Sequence, residues 1–92
     1  MRLDRFLWFS RLSASRDYAR QLVEAGHLRI DGRPVSKPAA AVGLGNVLTF
    51  ADHRGRVRVI RVEAFPPRRG PAAEAQGCYT DLAAVDAASA PT

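Results

Sequence analysis

The sequence predicts an α+β fold: two short helices packed on a small, twisted, mainly antiparallel sheet, followed by a short C-terminal extension. Three observations predict it. Two stretches of helical periodicity follow one another between residues 2 and 25. A period-two alternation then begins at His27 and runs into an Asp31-Gly32 dipeptide, a strong short-range signal for a two-residue hairpin turn. Finally, the β-branched run Val47-Leu48-Thr49-Phe50 is followed, after a short polar turn, by a returning strand over Arg56 to Glu63.

The first helix covers residues 2 to 10, where Leu3, Phe6, Leu7 and Ser10 form one stripe and Arg2, Arg5 and Arg11 lie off it. Trp8 falls away from the centre of that stripe, and two readings of it stand. It stacks on an unpaired base, a contact worth about 1–3 kcal/mol, or it packs against the C-terminal segment. Leu12-Ser13-Ala14 connects to the second helix. Ser15 suits its N-cap, Asp17 its first turn, and Gly26 its C-terminal stop. Ala19, Leu22 and Val23 make its apolar stripe, while Arg16 and Arg20 stand one turn apart on its flank.

In the first strand Leu28 and Ile30 point inward and His27 and Arg29 outward. This reading has Arg16, Arg20 and Arg29 converge on one candidate phosphate-binding surface. Pro38 cannot serve a central ladder, so residues 37 to 46 form a loop anchored at Val42. Asn46 is expected to tolerate a left-handed backbone after Gly45. Residues 52 to 55 make a turn that includes His53. In the returning strand the apolar positions Val57, Val59, Ile60 and Val62 change face at Val59-Ile60, which suggests a bulge or a strongly twisted strand. Arg56, Arg58 and Arg61 add charge there, either as a solvated face or as a second RNA contact. Phe65 to Pro71 breaks regular structure, and Ala72 to Leu82 forms a short helix or an extended arm. The expected boundaries are a binding domain over 1–64, an extension over 65–82 and a frayed, disordered tail over 83–92.

Ninety-two residues with 47% apolar and 25% charged side chains make one small globular domain. No apolar run is long enough to span a bilayer, and the N-terminus does not read as a signal peptide. The single cysteine, Cys78, cannot close an internal disulfide, so a reducing cytoplasm is the expected location. Charge is unevenly spread. Residues 1 to 69 hold all fourteen Lys and Arg against six acids, a balance of +8, whereas residues 70 to 92 hold three acids and no base. Such a balance, built almost wholly from Arg, points to a polyanion, with nucleic acid ahead of a membrane surface.

Enzyme chemistry is not expected. The two histidines are predicted at exposed strand-end or turn positions, and Cys78 has neither a predicted base nor a partner thiol. No phosphate-cradling Gly-rich loop, metal-ligand spacing or paired carboxylates occur, so neither cofactor nor metal is expected.

Residues 15 to 35 also resemble the small RNA-binding domain named after ribosomal protein S-four. Its signature is met by Ser15-Arg16, Ala19, Leu22-Val23, Gly26, Leu28, Ile30, Asp31-Gly32 and Val35. Arg2-Leu3-Asp4-Arg5-Phe6-Leu7-Trp8 and Arg69-Gly70-Pro71-Ala72-Ala73-Glu74-Ala75 look like the ends of the fifteen-kilodalton ribosome-associated heat-shock protein family. The resemblance implies a non-enzymatic protein that binds ribosomal RNA of the large subunit. It further implies heat-shock or stalled-ribosome rescue, with peptidyl-tRNA still on that subunit. The larger enzymes that carry this domain append it to a catalytic domain, and this chain reads as the recognition module alone. Arg2, Arg5, Arg11, Ser15, Arg16, Arg20, His27, Arg29 and Lys37 are the expected RNA-binding residues, in a protein expected to be a monomer. Better-known members continue into a long basic helix, where this chain has an acidic, Ala-rich tail. The alternatives are a general single-stranded nucleic-acid or DNA adaptor, a ribosome-assembly factor, or a module whose basic face binds an acidic protein.

Overall fold

The computed structural model describes residues 1–52 and 54–82. Helix α1 (Leu3–Phe9) opens the chain, and α2 (Arg16–Glu24) packs against it. A sheet follows, built from β1 (Leu28–Ile30), β2 (Arg33–Val35), β3 (Val47–Ala51) and β4 (Val57–Val62). A short α3 (Ala72–Gln76) leads to β5 (Tyr79–Asp81). The strand order is β2-β1-β3-β4-β5, with every neighbouring pair antiparallel.

Helix α1 has no side-chain cap at Arg2, yet its first turn is not orphaned. The Leu3 N–H donates to the Ala40 carbonyl at 2.9 Å and the Asp4 N–H to the Pro38 carbonyl at 3.1 Å. The Arg5 N–H donates to Asp4 Oδ1 at 2.8 Å. The loop between β2 and β3 therefore does what a capping residue does elsewhere. After α1, Arg11 takes a left-handed φ of 62°, a conformation that costs an L-residue roughly 1–2 kcal/mol. Its side chain is held in compensation, with Nε donating to the Gly70 carbonyl at 2.5 Å.

The second helix starts as expected, with Ser15 Oγ accepting the Tyr18 N–H at 3.0 Å. The hairpin turn is also as expected. Asp31 and Gly32 both have positive φ, 51° and 83°, the pair of values that a type I′ turn requires. Asp31 does more than turn the chain. Its carboxylate accepts from the Val47 N–H and from Asn46 Nδ2, both at 2.8 Å, tying the hairpin to the start of β3. The left-handed residue beside it is Gly45, and Asn46 is not left-handed. Asn46 earns its place through its side chain, whose Oδ1 accepts the Gly43 N–H at 2.6 Å.

One face of the sheet supplies the core. Ile30 lies opposite Leu48, and Leu48 opposite Ile60. These residues, with Leu28, Phe50 and Val62, meet Leu3, Phe6, Leu7, Leu12, Ala19 and Val23 from the helical side. Each large apolar side chain buried this completely contributes about 1.5–3 kcal/mol of gross burial energy.

Two expectations need correction here. The β3–β4 register runs without interruption from Val47↔Arg61 to Ala51↔Val57, so there is no bulge at Val59-Ile60. The apolar positions divide instead between the two faces, Ile60 and Val62 toward the core and Val57 and Val59 away from it. Residues 72–82 are neither one helix nor an arm. They form α3 and then β5, which extends the sheet through Ile60↔Asp81, Arg61↔Thr80 and Val62↔Tyr79. The readings of His53 as a turn residue and of 83–92 as a frayed tail fall outside the described residues.

Candidate nucleic-acid interface

The start of α2 and the start of α1 lie together and enclose an open cleft of about 490 Å³, lined by Arg2, Asp4, Ser15, Arg16, Asp17 and Arg20. Helix periodicity explains the pairing of Arg16 and Arg20, and the Ser15 cap sets where their helix begins. Arg2 arrives from another part of the chain. Its Nε and Nη2 donate to the two carboxylate oxygens of Asp4 at 3.0 and 3.1 Å, a side-on fork. Arg20 Nη2 stands 3.3 Å from Asp17, in a pair whose side chains are 53% and 80% exposed. Such an exposed pair is worth a few tenths of a kcal/mol and is screened by salt, about what a competing phosphate must displace. A polyanion entering this cleft meets three guanidinium groups, each suited to planar, bidentate contact with phosphate oxygens.

The other expected residues divide. Lys37 is exposed, and its neighbour Pro38 accepts the Asp4 N–H, so the loop brings Lys37 to the first turn of α1. Arg5 is exposed on α1 but does not line the cleft. His27 is exposed beyond the opposite end of α2, a helix of nine residues that is about 13 Å long at 1.5 Å per residue. Arg29 is a correction. Leu28 and Ile30 face the core, so strand alternation sends Arg29 to the uncovered face of the sheet. There its Nη1 reaches the Gly32 carbonyl at 3.3 Å. Arg16 and Arg20 are on a helix that covers the other face, and the three arginines do not converge. Arg11 is exposed but does not line the cleft, and its Nε donates to the Gly70 carbonyl.

Trp8 is half-buried against the C-terminal segment. Arg69 lies over its ring at 5.7 Å and donates through Nη1 to the Trp8 carbonyl at 2.6 Å and the Ser13 carbonyl at 3.3 Å. Of the two readings of Trp8, packing is the one the structure shows. The sequence names Arg69 and Asp4 only within the two stretches of the family resemblance and points to no role for either. The Arg2-x-Asp4 spacing at a helix start is the one signal that could have flagged Asp4.

Two titratable groups outside the cleft are shifted. Thr80 Oγ1 donates to the Glu63 carboxylate at 2.6 Å and Arg61 Nε at 2.9 Å, and together they hold that carboxyl below its ordinary value. Burial pushes the Cys78 thiol up, with the Glu74 carboxylate adding to the effect. A protonated thiol is a poor nucleophile. Among the described residues no group of three His, Cys, Asp or Glu could hold a metal ion, and no helix is long and apolar enough to cross a membrane.

The sequence and the fold have counterparts in known proteins. The sequence model of the S4 domain matches residues 1–48, which include both helices and the hairpin. Heat shock protein 15 of Escherichia coli is 35% identical over 83 residues, 90% of this chain and 61% of that protein. Small ribosomal subunit protein uS4 of Limosilactobacillus reuteri is 35% identical over 69 residues, 73% of this chain and 34% of that one. The chain thus spans less than two thirds of the length of these curated relatives. A trimeric structure of Vibrio cholerae heat shock protein 15 superimposes with a TM-score of 0.79 at 33% identity, covering 88% of this chain and 80% of that one. The signature in residues 15 to 35 and the family match over residues 1–48 agree, and the chain belongs to the S4 domain family.

Proposed function

We propose that this chain is a non-enzymatic, ribosome-associated RNA-binding protein of the cytoplasm. Its site is the large ribosomal subunit, and its occasion is heat shock or stalled-ribosome rescue, when peptidyl-tRNA remains on that subunit. The observation that carries this reading is the cleft where Arg2, Arg16 and Arg20 stand together, inside the segment that matches the S4 domain. Its relatives include heat shock proteins and a ribosomal protein, which supports a ribosomal partner over a generic polyanion. Arg16 and Arg20 grip phosphates of one strand, Arg2 holds an adjacent phosphate, and Lys37 and Arg5 steer from the margin. Recognition of this kind reads backbone geometry and shape rather than base edges. Arg29 and His27 lie outside the cleft, and their contacts with RNA would be separate ones.

Co-sedimentation with purified large and small subunits, with and without peptidyl-tRNA and at two salt concentrations, tests the reading. Preference for the loaded large subunit is the expected result, and equal recovery with both subunits would refute the large-subunit assignment. Within that assay, replacing Arg16 and Arg20 together by Ala removes two phosphate contacts. The log–log salt slope should then flatten by about 1.4–1.8, and an unchanged slope would exclude the cleft as the interface.

A further inference from the structure

We propose that Asp4 is a positioning residue for RNA binding, holding the Arg2 guanidinium open toward a phosphodiester. The inference rests on the RNA-binding reading of the cleft. Asp4 is a charged residue in an apolar setting, only 2% exposed, on a helix whose neighbouring positions Leu3, Phe6 and Leu7 form the core. A carboxylate at such a depth needs full compensation. It has it from three donors: Arg2 Nε, Arg2 Nη2 and the Arg5 N–H.

The consequence for Arg2 is specific. A guanidinium is planar, and its five N–H donors make a side-on edge of two, an end-on edge of two, and one more on the remaining side. Asp4 occupies the side-on edge, Nε and Nη2. The end-on edge, with one N–H from Nη1 and one from Nη2, has no hydrogen-bond partner among the described residues. The Arg2 side chain is 46% exposed while that of Asp4 is 3% exposed, so the outer edge is open to a ligand and the carboxylate behind it is not. Phosphate oxygens match that edge in spacing and charge.

Arg2 thereby differs from its neighbours in the cleft. The acid partner of Arg20 is Asp17, 80% exposed, so that pair is free to break and re-form. The acid partner of Arg2 sits in the core and cannot swing away. Arg2 is the one guanidinium of the cleft whose orientation is set before RNA arrives, and little of its side-chain freedom remains to be lost on binding. A second reading of the same contact has the opposite sign. A carboxylate near a phosphate site repels it, and if Asp4 did nothing else its removal would strengthen binding.

The test is fluorescence anisotropy of a labelled RNA hairpin with the full chain across a salt series, each variant checked for folding by circular dichroism. The variants are Asp4→Asn, Arg2→Gln, the two combined, Arg2→Lys, and Arg16→Ala with Arg20→Ala. Asp4→Asn keeps an oxygen for the Arg5 N–H but removes the charge that holds the fork. Affinity should fall about ten-fold, and the salt slope should flatten by about 0.7–0.9, one phosphate contact. The Asp4→Asn and Arg2→Gln combination should bind like Arg2→Gln alone, because the two act through one contact. Tighter or unchanged binding by Asp4→Asn, while the Arg16 and Arg20 variant weakens, would overturn the proposal and leave the cleft reading intact. If the Arg16 and Arg20 variant binds normally, the cleft reading itself fails, and the inference with it. Should Asp4→Asn not fold, Arg2→Lys decides: it keeps the charge but cannot make a two-edged fork. Binding as weak as Arg2→Gln supports the proposal, and wild-type binding overturns it.

Discussion

Replacing Gly32 by Val isolates the backbone cost of the β1–β2 turn. Gly32 has φ +83°, and a Cβ built there would meet nothing within 4 Å. The substitution therefore creates no clash with neighbouring atoms, and its whole effect is the strain of a β-branched residue at positive φ. A left-handed L-residue costs roughly 1–2 kcal/mol, and a β-branched side chain belongs at or above the top of that range. For a domain of this size each kcal/mol lowers Tm by about 4–8 °C, so a loss of roughly 5–15 °C is expected. Thermal melts by circular dichroism measure it, with Gly32→Asn as the control, since Asn tolerates this region and should lose much less. A Val variant that melts with wild type would refute the turn assignment. An Asn variant as unstable as the Val variant would show that something other than φ constrains the site.

Other outcomes follow from contacts outside the cleft. Arg69→Ala removes two hydrogen bonds to carbonyls and the contact over Trp8, which should cost about 1–3 kcal/mol; the urea midpoint and Trp8 emission should both shift, and an unchanged midpoint would deny the latch any energetic role. Glu63 should titrate below its ordinary value by NMR, and Thr80→Val should move it back up, Thr80 being the largest cause of the shift. Because the folded-state pKa is the lower one, the stabilisation from Glu63 is present above the unfolded value and lost as pH falls through the folded one. Cys78 should alkylate slowly at neutral pH and much faster in urea; equal rates would show that its burial is not protective.

The sequence made the local features legible. Ser15, Gly26 and Asp31-Gly32 act through their own backbone neighbours, and Leu3, Phe6, Leu7 and Ser10 act through one helical repeat, so a short window contains all the physics. It failed where contacts are long-range. Tyr79–Asp81 is a strand because Ile60 to Val62 offer an edge, and three residues carry no alternation of their own. Nothing in the sequence near Arg11 or Arg69 shows a partner, yet each is hydrogen-bonded across about sixty residues. Arg29 illustrates a different limit. Alternation correctly sent it outward, but outward from a sheet is not the side on which α2 lies. For the cleft, the pair Arg16 and Arg20 was readable from spacing and Arg2 from the family resemblance, while the place of Arg2 and Asp4 beside that pair required knowing that α1 and α2 begin side by side.

The borrowed cap of α1 has a consequence in time. A chain is made from N- to C-terminus, so Leu3–Phe9 leaves the ribosome before the rest of this fold. Seven residues are too few to hold a helix in water unaided, and the carbonyls that receive its first N–H groups belong to Pro38 and Ala40. The chain must grow on from Phe9 to Pro38 and Ala40 before those acceptors exist. Helix α1 thus cannot settle ahead of the hairpin that follows it, and the Arg2 side of the cleft is completed only after that hairpin.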